Sequence, residues 1–329
     1  MKRLFWMALA AVAVMAGWGT LQNGFDKKKL GEWLSHALSN IPQAQSSSAP
    51  PPPRGGETIR IASFNIQVFG ESKLNDPEAM RAIVPILKNF DLIAIQEVRA
   101  VSQEVVPQLV ALLNADGKFH YDYAVGPRLG RTSSKEQYAF VFDQASIEID
   151  RDQLYTVDDP DRLLHRPPLV GWFRARGPAP QQAFTFSLVT VHTDPDEVDL
   201  ELDVLDDVFF KVRDDGRNED DVIMLGDFNA KEASLRQLGQ IAGLVKVITG
   251  QTPTNTLHNA QYDNILFHNA ATSEFSGRGG VYDFLRDFNL TLQQAERVSD
   301  HMPVWAEFSV YEGGRPGAIA KQPTPGKSF

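Results

Sequence analysis

The sequence predicts one layered α/β domain, with β-sheet inside and helices outside. Three observations carry this. Apolar runs short enough for buried strands recur from Ile59 to Val310. Amphipathic stretches of helical period alternate with them. The 329 residues include 43% hydrophobic and 10% aromatic side chains, enough for a large core. No internal repeat is present. Cysteine is absent, which excludes disulfides, thiolate metal sites and thiol nucleophiles, and a core of this size needs no such staples. The formal charge is −10 and the pI about 5.2. That balance argues against a broad basic footprint for nucleic acid. It leaves two readings open, plain solubility or carboxylate clusters that hold divalent cations and so neutralise a phosphate locally.

Residues 1–21 begin with Lys2-Arg3 and continue as an apolar run to about Leu21. They read as a signal peptide, with Val14 and Ala16 suiting a cut before Gly17; an uncleaved membrane anchor is the alternative, since the run is just long enough to span. The expected location is therefore outside the cytoplasm, secreted or periplasmic, or tethered to a membrane. Residues 22–56 form a segment ending in a Ser/Pro/Gly linker, which packs poorly. Residues 57–312 are the folded domain, and 313–329 a Gly/Pro/Lys tail. Within the domain, Ile59–Ile66 reads as a strand, Glu78–Asn89 as an amphipathic helix, Asp91–Gln96 as a buried strand and Val101–Asn114 as a second helix. Further strands are expected at Tyr138–Phe142, Phe184–Val191, Val222–Leu225, Ile265–Phe267 and Val304–Val310, with a helix around Val198–Val212.

Chemistry-bearing residues cluster where these strands end. Phosphodiester hydrolysis needs a cation to stabilise charge, a positioned water and a proton for the leaving oxygen. Asn65, Glu97 and Asp300 each lie near the end of an apolar run, and an oxygen-only set suits Mg²⁺ or Mn²⁺. Asp227 and Asn229 flank Phe228, so alternation puts both on one side of an extended segment. His192 follows the Phe184–Val191 run and His301 follows Asp300. Glu136 and Asp263 are candidate orienting carboxylates for the two imidazoles. Taken singly, each has a plainer explanation: an Asp after a strand is usually a turn or cap residue, and a His beside Asp is usually a surface or capping residue. His36, His120, His165, His258 and His268 keep that plainer reading. It is the joint occurrence in one order that points to a site.

Phe64-Asn65, Gln96-Glu97, Gly226-Asp227-Phe228-Asn229 and Ser299-Asp300-His301 together resemble the endonuclease/exonuclease/phosphatase superfamily. The segment Leu129–Tyr138 (LGRTSSKEQY), with Phe64–Glu71, Gln96–Arg99 and His192 followed by Pro195 and Glu201, is similar to its deoxyribonuclease I-like branch. The resemblance spans Ile59 to Phe308. It implies a four-layer sandwich of two packed, mainly antiparallel sheets flanked by helices. It implies a metal held by Asn65, Glu97 and Asp300, and two acid/base arms, His301 with Asp263 and His192 with Glu136. It also implies that Asp227 and Asn229 position water and phosphate, and that DNA is cut to 5′-phosphate products. His301 is expected to serve the water and His192 the leaving 3′-oxygen, although the sequence does not separate base from acid.

Departures from the branch carry information. An arginine and a tyrosine that enter or line the minor groove in the branch are replaced by Gln67 and Ser134. Arg99 remains of the groove-reading set, with Arg131 and Arg166 as expected phosphate contacts. Fewer cations and one aromatic fewer imply weaker, less structure-selective duplex binding. Structural Ca²⁺ belongs to the branch, but the loop 251–256 offers hydroxyls and amides without a carboxylate, so weak or absent binding is expected there. Asp158-Asp159-Pro160-Asp161 could keep one ion or be a solvated acidic turn. A phospholipid or other small-phosphodiester hydrolase, sphingomyelinase-like, is the competing enzyme reading, and a catalytically dead binding scaffold the third. No protein partner is indicated, and a monomer is expected.

Overall fold

The computed structural model describes residues 56–132 and 135–317. The expected signal or anchor, nearly all of the linker, most of the tail and Ser134 lie outside the described residues. Two six-stranded sheets face each other. The first has the order β11-β12-β1-β2-β4-β3, formed by β1 (Thr58–Phe69), β2 (Leu92–Val98), β3 (Tyr121–Val125), β4 (Gln137–Asp143), β11 (Phe275–Val281) and β12 (Val304–Ser309). The second has the order β5-β6-β7-β8-β10-β9, formed by β5 (Ile147–Thr156), β6 (Leu169–Ala175), β7 (Thr185–His192), β8 (Val222–Asp227), β9 (Leu244–Lys246) and β10 (Asp263–His268). Each sheet is antiparallel apart from one parallel pair, β1 with β2 and β7 with β8.

Helices close both outer faces. The outer face of the first sheet packs Phe64, Ile93, Ile95 and Val141 against α1 (Glu71–Leu74), α2 (Pro77–Leu87), α3 (Val105–Leu113), α5 (Phe284–Asp287) and α6 (Leu292–Val298). The second sheet packs Val189, Val191 and Met224 against Leu202, Leu205 and Phe209 of α4 (Val198–Arg213). Between the sheets lies an apolar layer that includes Ile59, Ile61, Leu92, Phe140, Phe173, Phe186, Ile223, Ile265 and Phe308. The result is the four-layer sandwich expected.

The helix starts are locally encoded. Asp76 caps α2 by accepting from Glu78 N at 3.0 Å, with Pro77 at the first helical position. Thr291 and Gln294 form a capping box at α6.

Side chains alternate along a strand, so the face given to the inter-sheet core also decides where the polar strand ends point. Ile59 and Ile61 share a face with Asn65; Leu188 shares one with His192, Ile223 and Leu225 with Asp227, and Ile265 with Asp263. The expected strand limits stop short of several of these residues. Register then brings them level: His192 is paired with Asp227, and Asp227 with Asp263.

Gly226 lets β7 and β8 approach this closely. Its φ is +148°, and a Cβ there would lie 1.9 Å from the Val191 carbonyl oxygen. Substituting Gly226→Ala forces the strand pair apart and should cost about 3 kcal/mol or more of stability. Urea unfolding of the two proteins at equal pH measures this.

Candidate active site

The site is built on the inter-sheet faces of five strand ends and the segment before β12. Glu136 Oε1 lies 2.6 Å from His192 Nδ1 and 3.1 Å from Arg166 Nε. Arg99 Nε stands 3.4 Å from Glu136 Oε2 and 3.2 Å from Glu97 Oε2. Burial alone would raise the Glu136 carboxyl, but His192, Arg166 and Arg99 outweigh it and hold Glu136 below the usual range. It therefore accepts, and His192 donates from Nδ1, leaving Nε2 to face the site.

The second imidazole is held in the same way. His301 Nδ1 lies 2.8 Å from Asp263 Oδ2, which also receives the Thr254 hydroxyl at 2.7 Å. Thr254 Oγ1 accepts the N–H groups of Tyr262 and Asp263, so its single proton goes to Asp263. That oxygen is thus an acceptor twice over, and the Nδ1 proton stays on His301. Burial opposes a charged His301, but Asp263 and Asp227 together push it up to about 10.

Asp227 joins the two arms. It is buried, and its Oδ2 is 3.6 Å from His192 Nε2 and 3.5 Å from His301 Nε2. The same oxygen accepts from Asn65 Nδ2 at 2.9 Å, and Oδ1 accepts from Asn229 N at 2.9 Å. Burial would raise this carboxyl, yet the two imidazoles lead the groups that hold it down. Asn229 has φ +48°, and its side-chain amide donates to Thr193 O at 3.0 Å. It braces the turn as well as facing the site.

Asn65, Glu97 and Asp300 gather at the adjoining edge. Asn65 Nδ2 is 3.5 Å from Glu97 Oε1, Glu97 Oε2 accepts from Val68 N at 2.8 Å, and Gln67 Nε2 donates to Asp300 Oδ2 at 2.9 Å. Val68 and Glu97 both have positive φ, +49° and +61°, a conformation that costs a β-branched residue most. Asn65 Oδ1 is buried and accepts no hydrogen bond. An orphaned amide oxygen beside two carboxylates fits a hard divalent cation, so the donor set suits the metal the sequence implies. Asp227, Asp263 and His301 also lie close enough together to hold an ion. There the closest approach is the His301–Asp263 hydrogen bond, which identifies the group as a proton-holding pair.

Of the substrate-facing candidates, Gln67 and Arg99 stand at this edge. Arg131 is part-exposed and paired with Glu197, and it also donates to Arg162 O at 3.2 Å. Arg166 is not an exposed phosphate contact. Its side chain is 6% exposed, and it donates to His192 O at 2.9 Å and Thr193 O at 2.8 Å as well as pairing with Glu136. A sequence cannot separate such a brace from a surface cation.

Thr254 and Lys73 are not among the residues expected from the sequence, and His165 departs from its expected surface or capping role. Lys73 Nζ donates to Gln67 O and to Val298 O, and burial, partly offset by Asp300 and Glu97, lowers it to about 8. His165 is buried behind Arg131, 3.0 Å from Asp194. Asp159 spends both carboxylate oxygens on Leu163 N and Leu164 N, the arrangement of an acidic turn.

Residues 62–301 match the Endonuclease/Exonuclease/phosphatase family, and the chain belongs to it. It is a hydrolase acting on phosphodiester bonds. Among curated proteins it is similar to deoxyribonuclease gamma of Rattus norvegicus, 33% identical over 76% of this chain and 84% of that protein. It is also similar to deoxyribonuclease-1-like 1 of Cricetulus griseus, 35% identical over 78% and 85%. Solved structures agree on the fold: humanized D. rerio TDP2 superposes with a TM-score of 0.54 at 15% identity, covering 76% of this chain and 98% of that one.

Arg166→Met leaves Glu136 buried without its nearest guanidinium. It should cost about 3 kcal/mol of stability and lower kcat. Arg131→Met should change stability by less than about 1 kcal/mol and act on KM instead. Denaturant unfolding with steady-state kinetics on one substrate separates the two.

Proposed function

We propose that the protein is an exported, divalent-metal-dependent endonuclease that hydrolyses DNA phosphodiester bonds and leaves 5′-phosphate ends. The observation that carries this reading is the convergence of two imidazole Nε2 atoms, 3.6 and 3.5 Å away, on a single Asp227 oxygen. Each imidazole has its Nδ1 fixed by a separate buried carboxylate. Such a pair can give a proton to one side of a phosphate and take one from the other. The relatives' printed names support DNA as the polymer. Export rests on the N-terminal Lys2-Arg3 and the apolar run after it.

Asn65, Glu97 and Asp300 would hold Mg²⁺ or Mn²⁺, which when bound supplies positive charge against that building on the phosphoryl oxygens. The chain's own groups do the rest. His301 acts in the form that has given up the second proton its neighbouring carboxylates favour: its free Nε2 then takes a proton from the attacking water as the water oxygen bonds to phosphorus. The bond from phosphorus to O3′ breaks, and the proton on His192 Nε2 passes to the leaving oxygen. Asp263 and Glu136 keep each ring in the tautomer this needs. Asp227 offsets the charge on whichever ring is protonated. Arg99, Arg131 and Gln67 would line the path of the polymer, and with one arginine and one tyrosine fewer in the sequence than the branch, binding should be loose and weakly selective.

Nicking of supercoiled plasmid tests the reading. Activity should need Mg²⁺, vanish in excess EDTA, and fall roughly 100- to 10,000-fold in His192→Ala or His301→Ala, with both variants folded by circular dichroism. The cut ends should carry 5′-phosphate that a phosphatase removes. A linkage with sulfur in place of O3′ leaves without a proton, so it should rescue His192→Ala and not His301→Ala; the reverse would exchange the two roles. Folded protein that spares DNA but cleaves a choline phosphodiester would favour the lipid-directed alternative.

A further inference from the structure

A second concentration of carboxylates sits at the opposite end of β8. Asp227 closes that strand in the active site, and Asp221 precedes its first residue, on the order of 20 Å away for a six-residue strand. Asp221 meets Glu274, which precedes β11, and Glu312, which follows β12. One carboxylate oxygen from each lies within 4.8 Å of the others. Glu219 and Asp220 stand beside them.

Asp221, Glu274 and Glu312 lack the cationic partners that buried charges need. Asp221 and Glu274 are each 2% exposed. Asp221 Oδ1, Glu274 Oε2 and Glu312 Oε2 are buried without a hydrogen bond, and the neutral Thr272 hydroxyl beside Asp221 only partly favours its charged form. Among the described residues, no lysine, arginine or histidine forms an ion pair with Glu219, Asp221, Glu274 or Glu312. From outside the group, the Trp172 indole N–H donates to Glu219 Oε2 at 2.9 Å and the Thr185 side chain also hydrogen-bonds Glu219; both partners are neutral. Burial and the neighbouring carboxylates push Glu312 up to about 8 and hold Asp221 well above its ordinary range. Uncompensated negative charge in such a place is costly.

We propose that Asp221, Glu274 and Glu312 form a structural cation site, separate from the catalytic centre, that takes a hard divalent ion, Ca²⁺. Every donor is oxygen and the charge is carried by carboxylates, the chemistry Ca²⁺ accepts with little demand on geometry. The ion would tie the start of β8 in one sheet to the β11 and β12 ends of the other, holding the sandwich closed at the end away from the chemistry. Neither the 251–256 loop nor Asp158–Asp161, the two segments weighed for calcium from the sequence, contributes to it.

The test uses the full chain, stripped of metal. Terbium excited through tryptophan should luminesce, with Trp172 as the adjacent sensitiser, and Ca²⁺ should quench the signal by displacement. Ca²⁺ should also raise Tm by about 3 °C or more. Both responses should persist in Glu97→Gln, which weakens the catalytic cation site. Both should be lost in Glu312→Gln and in the Glu274→Gln, Glu312→Gln double variant, whose metal-free Tm should match or exceed the parent's because repulsion is relieved. No terbium signal and no calcium shift in the parent would overturn the proposal, leaving carboxyls that simply share protons. A signal retained in a folded double variant would overturn it too, by placing the ion elsewhere.

Discussion

One buried carboxylate organises the catalytic end of this protein. Asp227 receives the Asn65 amide and faces both imidazoles, so it links the first sheet, the second sheet and the segment before β12. A carboxylate with so little exposure survives only where donors and positive charge surround it, and here they arrive from four separate stretches of chain. The dependence runs both ways. The imidazoles keep Asp227 ionised, and Asp227 with Asp263 keeps His301 inclined to hold a proton. The close β7–β8 approach at Gly226 and the positive φ at Glu97 serve the same end, bringing polar groups together that an ordinary pleated edge would leave apart.

The support around the two rings differs in kind. His192 leans on Glu136, which is itself surrounded by guanidinium groups, so that arm rests on charge balance. His301 leans on Asp263, which is held by a threonine hydroxyl whose remaining capacity is filled by two backbone N–H groups. That arm rests on hydrogen-bond direction. The first is more sensitive to loss of a cation, and the second to small shifts of the 254–263 loop.

Much of this was legible in the sequence because alternation carries a strand's core face through to its polar end. Ile223 and Leu225 announce where Asp227 points, and Ile265 does so for Asp263. The central strands were read for the same reason: buried on both faces, they are continuous apolar runs. The edges were not. Strand β5 is half-exposed with charged residues in its middle, and β11 carries three glycines in seven residues, so neither has a clear period or a strong β propensity. The mostly apolar β6 and the edge strands β3 and β9 also lie outside the strands expected from the sequence. Arg166 was placed on the surface because its burial depends on neighbours from β4 and β7, a tertiary fact. Thr254 has no local signature either, since its role is fixed only by what folds against it.

The site's residues are also spread along the chain, from Asn65 near the start of the domain to His301 just before its last strand. Protein synthesis runs from the N-terminus, and His301 is among the last of them to emerge. Until it does, the His192 arm faces an incomplete pocket and Asp227 lacks half its compensation. A chain still attached to its ribosome, or cut short before β12, therefore has no reduced version of the chemistry to perform. Activity is therefore tied to completion of the last strand, because the order of the strands places one half of the proton chemistry at the end of the domain.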